Sequence, residues 1–138
     1  REEFENVMMK SYESLRKASI EYNYAPVYIP PYEYYNKEIS AWAKNMGIQV
    51  INYTPGTMSN ADYTTPDMGQ KYRSSKFIYD KIMEVEKKEG LNGHLMLIHF
   101  GTDDRRTDKF YNGYLDKMIK TLKRKGYTFV PVREAVGI

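Results

Sequence analysis

The sequence has no cysteine, only two histidines and no long apolar run. Without cysteine the chain can form no disulfide bond and has no thiolate nucleophile. No stretch approaches the roughly 18 consecutive apolar residues of a transmembrane helix. His94 and His99 show neither the HxxxH nor the HExxH spacing, and a mononuclear metal site needs about three converging ligands. Any transition-metal site must therefore be completed elsewhere.

Two further kinds of motif are missing. There is no GxSxG nucleophile turn and no glycine-rich loop of the phosphate-binding type, so the sequence gives no sign of a serine hydrolase or a nucleotide site. The chain also has no large positive charge, because 21 Lys+Arg against 18 Asp+Glu give a net charge of only +3. The charges are interspersed, and nucleic-acid binding is therefore not implied.

What the sequence does contain is a chain of 138 residues with 14 tyrosines. This length is enough for one core, and we predict a single domain over residues 1–138. Tyrosine joins a flat apolar face to a polar tip, which suits sugar, base or protein contact surfaces as well as half-buried positions. The chain starts at Arg1 inside a predicted amphipathic helix, which suggests a partial chain.

Hydrophobic periodicity predicts helices and strands in alternation. Helices are expected over residues 2–22, 36–47, 74–89 and 110–125, and strands over residues 25–29, 48–53, 94–100 and 127–132. Residues 54–70 form a long polar loop, and loops of that length are usually functional or disordered. The order αβαβαβαβ predicts an α/β fold with parallel strands, either a small open sheet or part of a barrel.

In parallel α/β folds, functional sites form in the loops that follow the carboxyl ends of strands. Here those loops are residues 30–36, 54–57 and 99–106, and they hold most of the unusual residues. The loops at the opposite edge are plain and glycine-rich. The first edge is therefore the candidate site.

His99 ends the third predicted strand at this edge. An imidazole in that place can act as a general acid or base near neutral pH. The alternative is a core histidine whose ring bonds a backbone carbonyl. His94 begins the same strand, too far along it to share a ligand sphere with His99, and we interpret it as structural.

The loop that follows His99 carries several charged residues. Asp103, Asp104 and Asp108 could bind a cation or pair with Arg105 and Arg106. For Asp108 we expect a capping role at the following helix.

Several strings of the sequence resemble one known family. They are Ile-Pro-Pro-Tyr-Glu-Tyr-Tyr-Asn, Thr-Pro-Gly-Thr, Leu-Asn-Gly, Leu-Ile-His and His-Phe-Gly-Thr-Asp, in that order along the chain. Together they resemble motifs three to five of the polysaccharide deacetylases of the Bacteroidetes type, the NodB-homology domains of carbohydrate esterase family four. The resemblance implies the C-terminal half of a distorted (β/α) barrel, and hydrolysis of N- or O-acetyl groups on polysaccharides.

The resemblance implies a role for each matching residue. His99 stands at the catalytic acid, Leu97 at the pocket for the acetyl methyl group, and Tyr32 where a backbone amide holds the oxyanion. The remaining residues expected to bind substrate are Pro31, Glu33, Asn52, Thr54 and Asp103.

At two places the sequence departs from the family. The arginine that precedes the family's Pro-Tyr pair is missing from the stretch Tyr28-Ile29-Pro30. Residues 52–55 stand where motif four has an aspartate that tunes the histidine, followed by a tryptophan. Asp103 or Asp104 is the candidate to supply that carboxylate instead.

The family's first two motifs, which supply an aspartate base, a metal-binding aspartate and an HxxxH pair, are absent from the chain. A zinc-like divalent metal is expected in the complete family domain, but none is expected to be held by this chain alone. We therefore expect it to be inactive alone. Its expected partners are a polysaccharide or oligosaccharide, and either the missing N-terminal segment or a second copy that pairs through exposed strand edges. The resemblance implies a secreted, periplasmic or cell-surface protein.

Two alternatives stay open. One is a non-catalytic carbohydrate-binding relative that keeps an aromatic cleft of Tyr32, Tyr34, Tyr35 and Tyr53. The other is an unrelated small α/β domain whose loop 103–108 binds a cation or a partner.

Overall fold

The computed structural model describes residues 1–138, and the chain divides into two compact units. Unit 1 comprises Arg1–Asn52 and Val130–Ile138, and unit 2 comprises Tyr53–Phe129. Each unit has its own cluster of buried apolar side chains. The single domain over residues 1–138 stays a prediction.

Helices dominate the secondary structure. The α-helices are α1 Glu2–Lys17, α2 Lys37–Asn45, α3 Ser75–Glu89, α4 Phe110–Gly113, α5 Leu115–Arg124 and α6 Val132–Ala135. The 3₁₀-helices are Tyr22–Tyr24, Pro31–Glu33, Ser59–Tyr63 and Pro66–Lys71. The strands are β1 Val27–Tyr28 and β2 Gln49–Val50. No helix is both long and apolar enough to cross a membrane.

Unit 1 is built on α1, α2 and the strand pair. In α1 the buried residues Met8 and Tyr12 lie four positions apart and so share one face. The side chain of Asn36 accepts a hydrogen bond from the backbone N–H of Ile39 at 2.8 Å, which confirms the predicted start of α2. The buried residues of this core are Met8, Tyr12, Ala43 and Ile48.

The predicted α/β architecture is wrong. The chain is 54% helix and 3% strand, and its one sheet is the parallel pair β1–β2, in which Val27 lies opposite Gln49 and Tyr28 opposite Val50. The strands predicted over residues 94–100 and 127–132 are absent, so the chain does not form half of an alternating barrel.

The missing third strand has a local explanation. A strand needs a neighbour whose backbone completes the ladder of hydrogen bonds. In the apolar run at residues 94–100, the N–H of Leu95 donates instead to Thr54 Oγ1 at 3.0 Å, and the N–H of His99 donates to Asp62 Oδ2 at 2.7 Å. These two N–H groups thus bind side chains and not the backbone of a neighbouring strand.

In unit 2, α3 packs against α4 and α5. Ser74 caps α3 by accepting a hydrogen bond from the N–H of Phe77 at 3.1 Å, so the predicted helix over residues 74–89 is confirmed. The helix predicted over residues 110–125 is split into α4 and α5 after Gly113, a weak helix former. The core residues are Ile78, Ile82, Val85, Leu91, Phe110, Met118 and Leu122.

Candidate functional site

The histidine singled out by the sequence is held by a buried carboxylate within unit 2. His99 Nδ1 lies 2.6 Å from Asp62 Oδ1, and the N–H of His99 donates to Asp62 Oδ2 at 2.7 Å. Asp62 is 1% exposed, whereas the His99 side chain is 36% exposed. An ionised carboxylate can only accept hydrogen bonds, so the ring carries its proton on Nδ1 in the neutral state. Nε2 is then the nitrogen available to a substrate.

The segment that carries Asp62 is ordered by local polar contacts. It is the 3₁₀-helix Ser59–Tyr63, which begins after Met58 in the left-handed region at φ 56°. The hydroxyl of Thr64 donates to the carbonyl of Ala61 at 2.7 Å and accepts the N–H of Arg73 at 3.0 Å. The residues expected to form a long polar loop therefore contribute most of the buried polar side chains, and Ser75 and Arg106 complete this polar layer. Its buried members are Thr57, Ser59, Asp62, Thr64, Thr65, Ser75 and Arg106.

Arg106 places a fully buried guanidinium within this layer. Nη1 donates to the carbonyls of Thr64 at 2.5 Å and Arg73 at 3.0 Å. Nη2 donates to Ser75 Oγ at 3.0 Å. Arg106 thus joins the segment after Asp62 to the start of α3.

Asp108 belongs to the same network. Its carboxylate accepts hydrogen bonds from the Tyr72 hydroxyl at 2.8 Å and from the N–H of Ser75 at 2.7 Å. Burial and the hydrogen bond to Asp108 raise the pKa of the Tyr72 phenol. Asp108 therefore caps the first turn of α3 and not, as expected, the helix that follows it in the chain.

The exposed aspartates after His99 have other partners. Arg105 donates hydrogen bonds to Asp103 from Nε at 3.0 Å and from Nη2 at 2.8 Å, and to Asp67 from Nη1 at 2.7 Å. These hydrogen bonds hold the pKa of the Asp103 carboxyl well below its usual value. Asp104 lies 4.0 Å from Lys109. The carboxylate on His99 is thus Asp62, and not Asp103 or Asp104.

Aromatic rings flank the histidine in space and in sequence. Tyr63, 50% exposed, meets the His99 ring edge-on at 5.8 Å. Phe100 is 68% exposed and stacks on Tyr111 with the ring centres 5.0 Å apart. Exposed flat rings next to a polar side chain are suited to the apolar face of a sugar.

Two other residues with predicted roles, Thr54 and Leu97, also belong to unit 2. Thr54 is paired with Leu95, since its N–H donates to the Leu95 carbonyl at 2.8 Å and its hydroxyl accepts the Leu95 N–H. Leu97 is half-buried, two positions before His99. Neither Thr54 nor Asp103 is hydrogen-bonded to His99.

The other predicted substrate contacts belong to unit 1. Pro31 opens a 3₁₀-helix in which Tyr32 and Glu33 both have φ 55°, and Tyr32 is 95% exposed. Asn52 Nδ2 donates to the Glu33 carbonyl at 3.3 Å. The loops after β1 and β2 therefore meet within this unit.

The sequence did not predict the role of Asp62, nor the hydrogen bonds by which Arg106 joins the segment after Asp62 to the start of α3. The resemblance aligns motif four, an aspartate followed by a tryptophan, with residues 52–55, and Asp62 is followed by Tyr63 rather than by a tryptophan. The sequence therefore gave no specific signal for Asp62. Arg106 gave no signal beyond its charge, since nothing in the sequence marks an arginine for burial.

The residues present do not fit the zinc-like ion that the resemblance implies. No group of three or more histidine or carboxylate side chains converges to hold a metal. Both carboxylate oxygens of the buried Asp62 are already hydrogen-bonded to His99.

No family model, curated protein or solved structure matches the chain, so the polysaccharide deacetylase resemblance depends on the sequence motifs alone.

Proposed function

We propose that unit 2 carries the histidine half of a carbohydrate deacetylase site, with His99 as the general acid. The observation that carries the proposal is the pair formed by His99 and the buried carboxylate of Asp62, joined at 2.6 Å. A partly exposed imidazole that is oriented by a buried carboxylate is the arrangement used for proton transfer at neutral pH.

The chemistry follows from this geometry. Once water has added to the acetyl carbonyl carbon, the bond from that carbon to the sugar nitrogen or oxygen breaks and acetate is released. The doubly protonated ring of His99 gives its Nε2 proton to the leaving amine or alkoxide. Asp62 keeps the ring oriented through Nδ1 and stabilises its positive charge. General acid catalysis of this kind contributes about 10²- to 10⁴-fold in rate.

The remaining parts of the site are expectations from the resemblance. Within unit 2, Leu97 would line the acetyl pocket, with Thr54 and Asp103 along the substrate. The zinc-like ion would have to be bound by residues other than these, so we expect no acetate release from this chain alone. The proposed setting is secreted, periplasmic or on the cell surface.

The two histidines provide a matched test. Acetate release from acetylated chitooligosaccharide and acetylxylan is measured with the complete product of the gene as wild type, His99→Gln and His94→Gln. We expect His99→Gln to lose about 10²-fold or more of the rate, and His94→Gln to keep it. Full activity of His99→Gln would rule out the proposal.

A second candidate function is carbohydrate binding without catalysis. The observation in its favour is the exposure of Tyr32 and Tyr34, at 95% and 72%. Oligosaccharide binding without acetate release, even with added zinc, would favour this alternative over the deacetylase.

A further inference from the structure

The guanidinium of Arg106 is fully buried, and its one ion pair is long. It is 0% exposed, and Asp108 Oδ1 lies 3.8 Å from Nη2, beyond hydrogen-bonding distance. Its Nε has no hydrogen-bond partner. Removing a charge from water is costly unless its hydrogen bonds are well made. Arg106 compensates mainly by binding backbone carbonyls, so its contacts fix the course of the chain around it.

The hydrogen bonds of Arg106 connect it to the segment that carries Asp62. Arg106 holds the carbonyl of Thr64, and the Thr64 hydroxyl holds the carbonyl of Ala61. Ala61 and Thr64 lie on either side of Asp62 in the sequence. Removing the guanidinium would therefore free the segment from which the carboxylate reaches His99.

We propose that Arg106 is a positioning residue, which fixes the orientation and tautomer of His99 through Thr64 and Asp62. This inference builds on the proposed function, in which His99 transfers a proton. Arg106 touches neither the ring nor a substrate in this scheme. Its effect is to keep Asp62 within 2.6 Å of Nδ1.

The test reads the histidine ring directly. The ¹⁵N shifts of the two ring nitrogens report which one carries the proton, and His94→Gln assigns the signals because the chain has only two histidines. Arg106→Lys keeps the charge, but a single ammonium cannot reproduce the planar fork. We expect the Nδ1–H tautomer of His99 to fall from dominant to mixed in this variant while the fold is retained.

Two controls separate positioning from general destabilisation. Arg124→Lys makes the same substitution at an exposed arginine of α5 that bonds only Thr121, and it should leave the His99 signals unchanged. Ile82→Ala weakens the core of unit 2 at a fully buried residue, and it should lower stability without changing the tautomer. An equal loss of the tautomer in Ile82→Ala would overturn the proposal, as would unchanged His99 signals in Arg106→Lys.

A second pair of variants applies if Arg106→Lys fails to fold. Thr64→Val removes the hydroxyl that binds Ala61 and Arg73, and Thr64→Ser restores it. We expect loss of the tautomer in the first and recovery in the second. If Thr64→Val and Thr64→Ser show the same His99 tautomer population, Arg106 does not act on His99 through Thr64.

Activity gives a separate readout. In the complete gene product, Arg106→Lys should lower kcat for acetate release by about 10²-fold with little change in KM, since a misplaced group impairs the reaction more than binding. If the wild type releases no acetate, the proposed function fails, but the ring signals still decide the role of Arg106.

Discussion

Asp62 holds His99 at two points, accepting a hydrogen bond from the ring at 2.6 Å and from the backbone N–H at 2.7 Å. Both groups are donors, so the site requires a side chain with two acceptor oxygens. Glutamate would have the oxygens but also an extra methylene in a fully buried position. Aspartate is therefore the side chain that fits.

The first prediction follows from this requirement. In Asp62→Asn, the amide has one acceptor oxygen and no negative charge. We expect either the backbone bond to break or the NH₂ group to donate to Nδ1, which forces the ring into the Nε2–H tautomer. Acetate release by the complete gene product should then fall by about 10²-fold or more. Asp116→Asn, an exposed change on α5 next to Lys120, is the control. Equal activities of the two variants would contradict the assigned role of Asp62.

The second prediction concerns the stacked pair Phe100 and Tyr111. If a sugar ring packs on Phe100, Phe100→Ala should weaken oligosaccharide binding by about threefold to tenfold, the range expected for one aromatic contact. Phe129→Ala removes another exposed phenylalanine of unit 2 and serves as control. Titration followed by NMR or calorimetry measures both. A larger loss in Phe129→Ala would place the sugar elsewhere.

The third prediction concerns stability in acid. Hydrogen bonds from Arg105 lower the pKa of Asp103 below its usual 3.8. The folded state thus binds this proton less readily than the unfolded chain, and the stabilisation is present above pH 3.8 and lost as the pH falls towards the folded value. Arg105→Met should therefore unfold at lower urea than wild type at neutral pH.

The difference between Arg105→Met and wild type should shrink below pH 3.8. A urea series over pH 2–7 tests this, with Arg133→Met, a change within unit 1, as control. A difference that is constant over the whole range would mean that Asp103 is not responsible.

The fourth prediction concerns stability in alkali. Burial raises the pKa of the Tyr12 phenol above 10.0, and its hydroxyl donates to the Ala25 carbonyl at 2.9 Å. The stabilisation is complete below pH 10.0 and is lost as the pH rises through the folded value. Tyr12→Phe should cost about 1 kcal/mol near neutral pH through the lost hydrogen bond.

Above pH 10 the stability of Tyr12→Phe should fall less steeply than that of wild type. Burial also raises the pKa values of Tyr22 and Tyr28. These two residues therefore still make stability fall with rising pH in both proteins. Tyr34→Phe changes an exposed phenol and should leave the wild-type slope intact. Identical slopes for Tyr12→Phe and wild type would contradict the assignment.

Helices were predictable because their signals are local. The caps at Asn36 and Ser74 lie within three residues of the N–H groups that they accept, and the periodic apolar positions of α3 form one continuous face. Strands depend on partners elsewhere in the chain. The apolar run ending at His99 has the pattern of a strand, but the N–H groups of Leu95 and His99 bind side chains that no periodicity reveals.

The candidate site divides in the same way. His99 was predictable from its place after an apolar run and from the Leu-Ile-His string. Asp62 was not, because it lies 37 positions earlier in a segment without strand or helix periodicity. Arg106 was even less accessible to sequence reasoning, since burial of a charge is decided by carbonyls that only the folded chain brings together.

Tyr32 and Glu33 are consecutive residues in the left-handed region, where the backbone conformation lowers the stability of the folded chain while the Tyr32 ring is exposed on its surface. A backbone at φ 55° disfavours any residue with a Cβ atom by roughly 1 kcal/mol or more, and glycine would relieve it. Glycine would also remove the most exposed aromatic ring of the chain. A screen for thermostability alone would therefore tend to erase Tyr32, whereas a screen that also required oligosaccharide capture would retain it if the ring binds sugar.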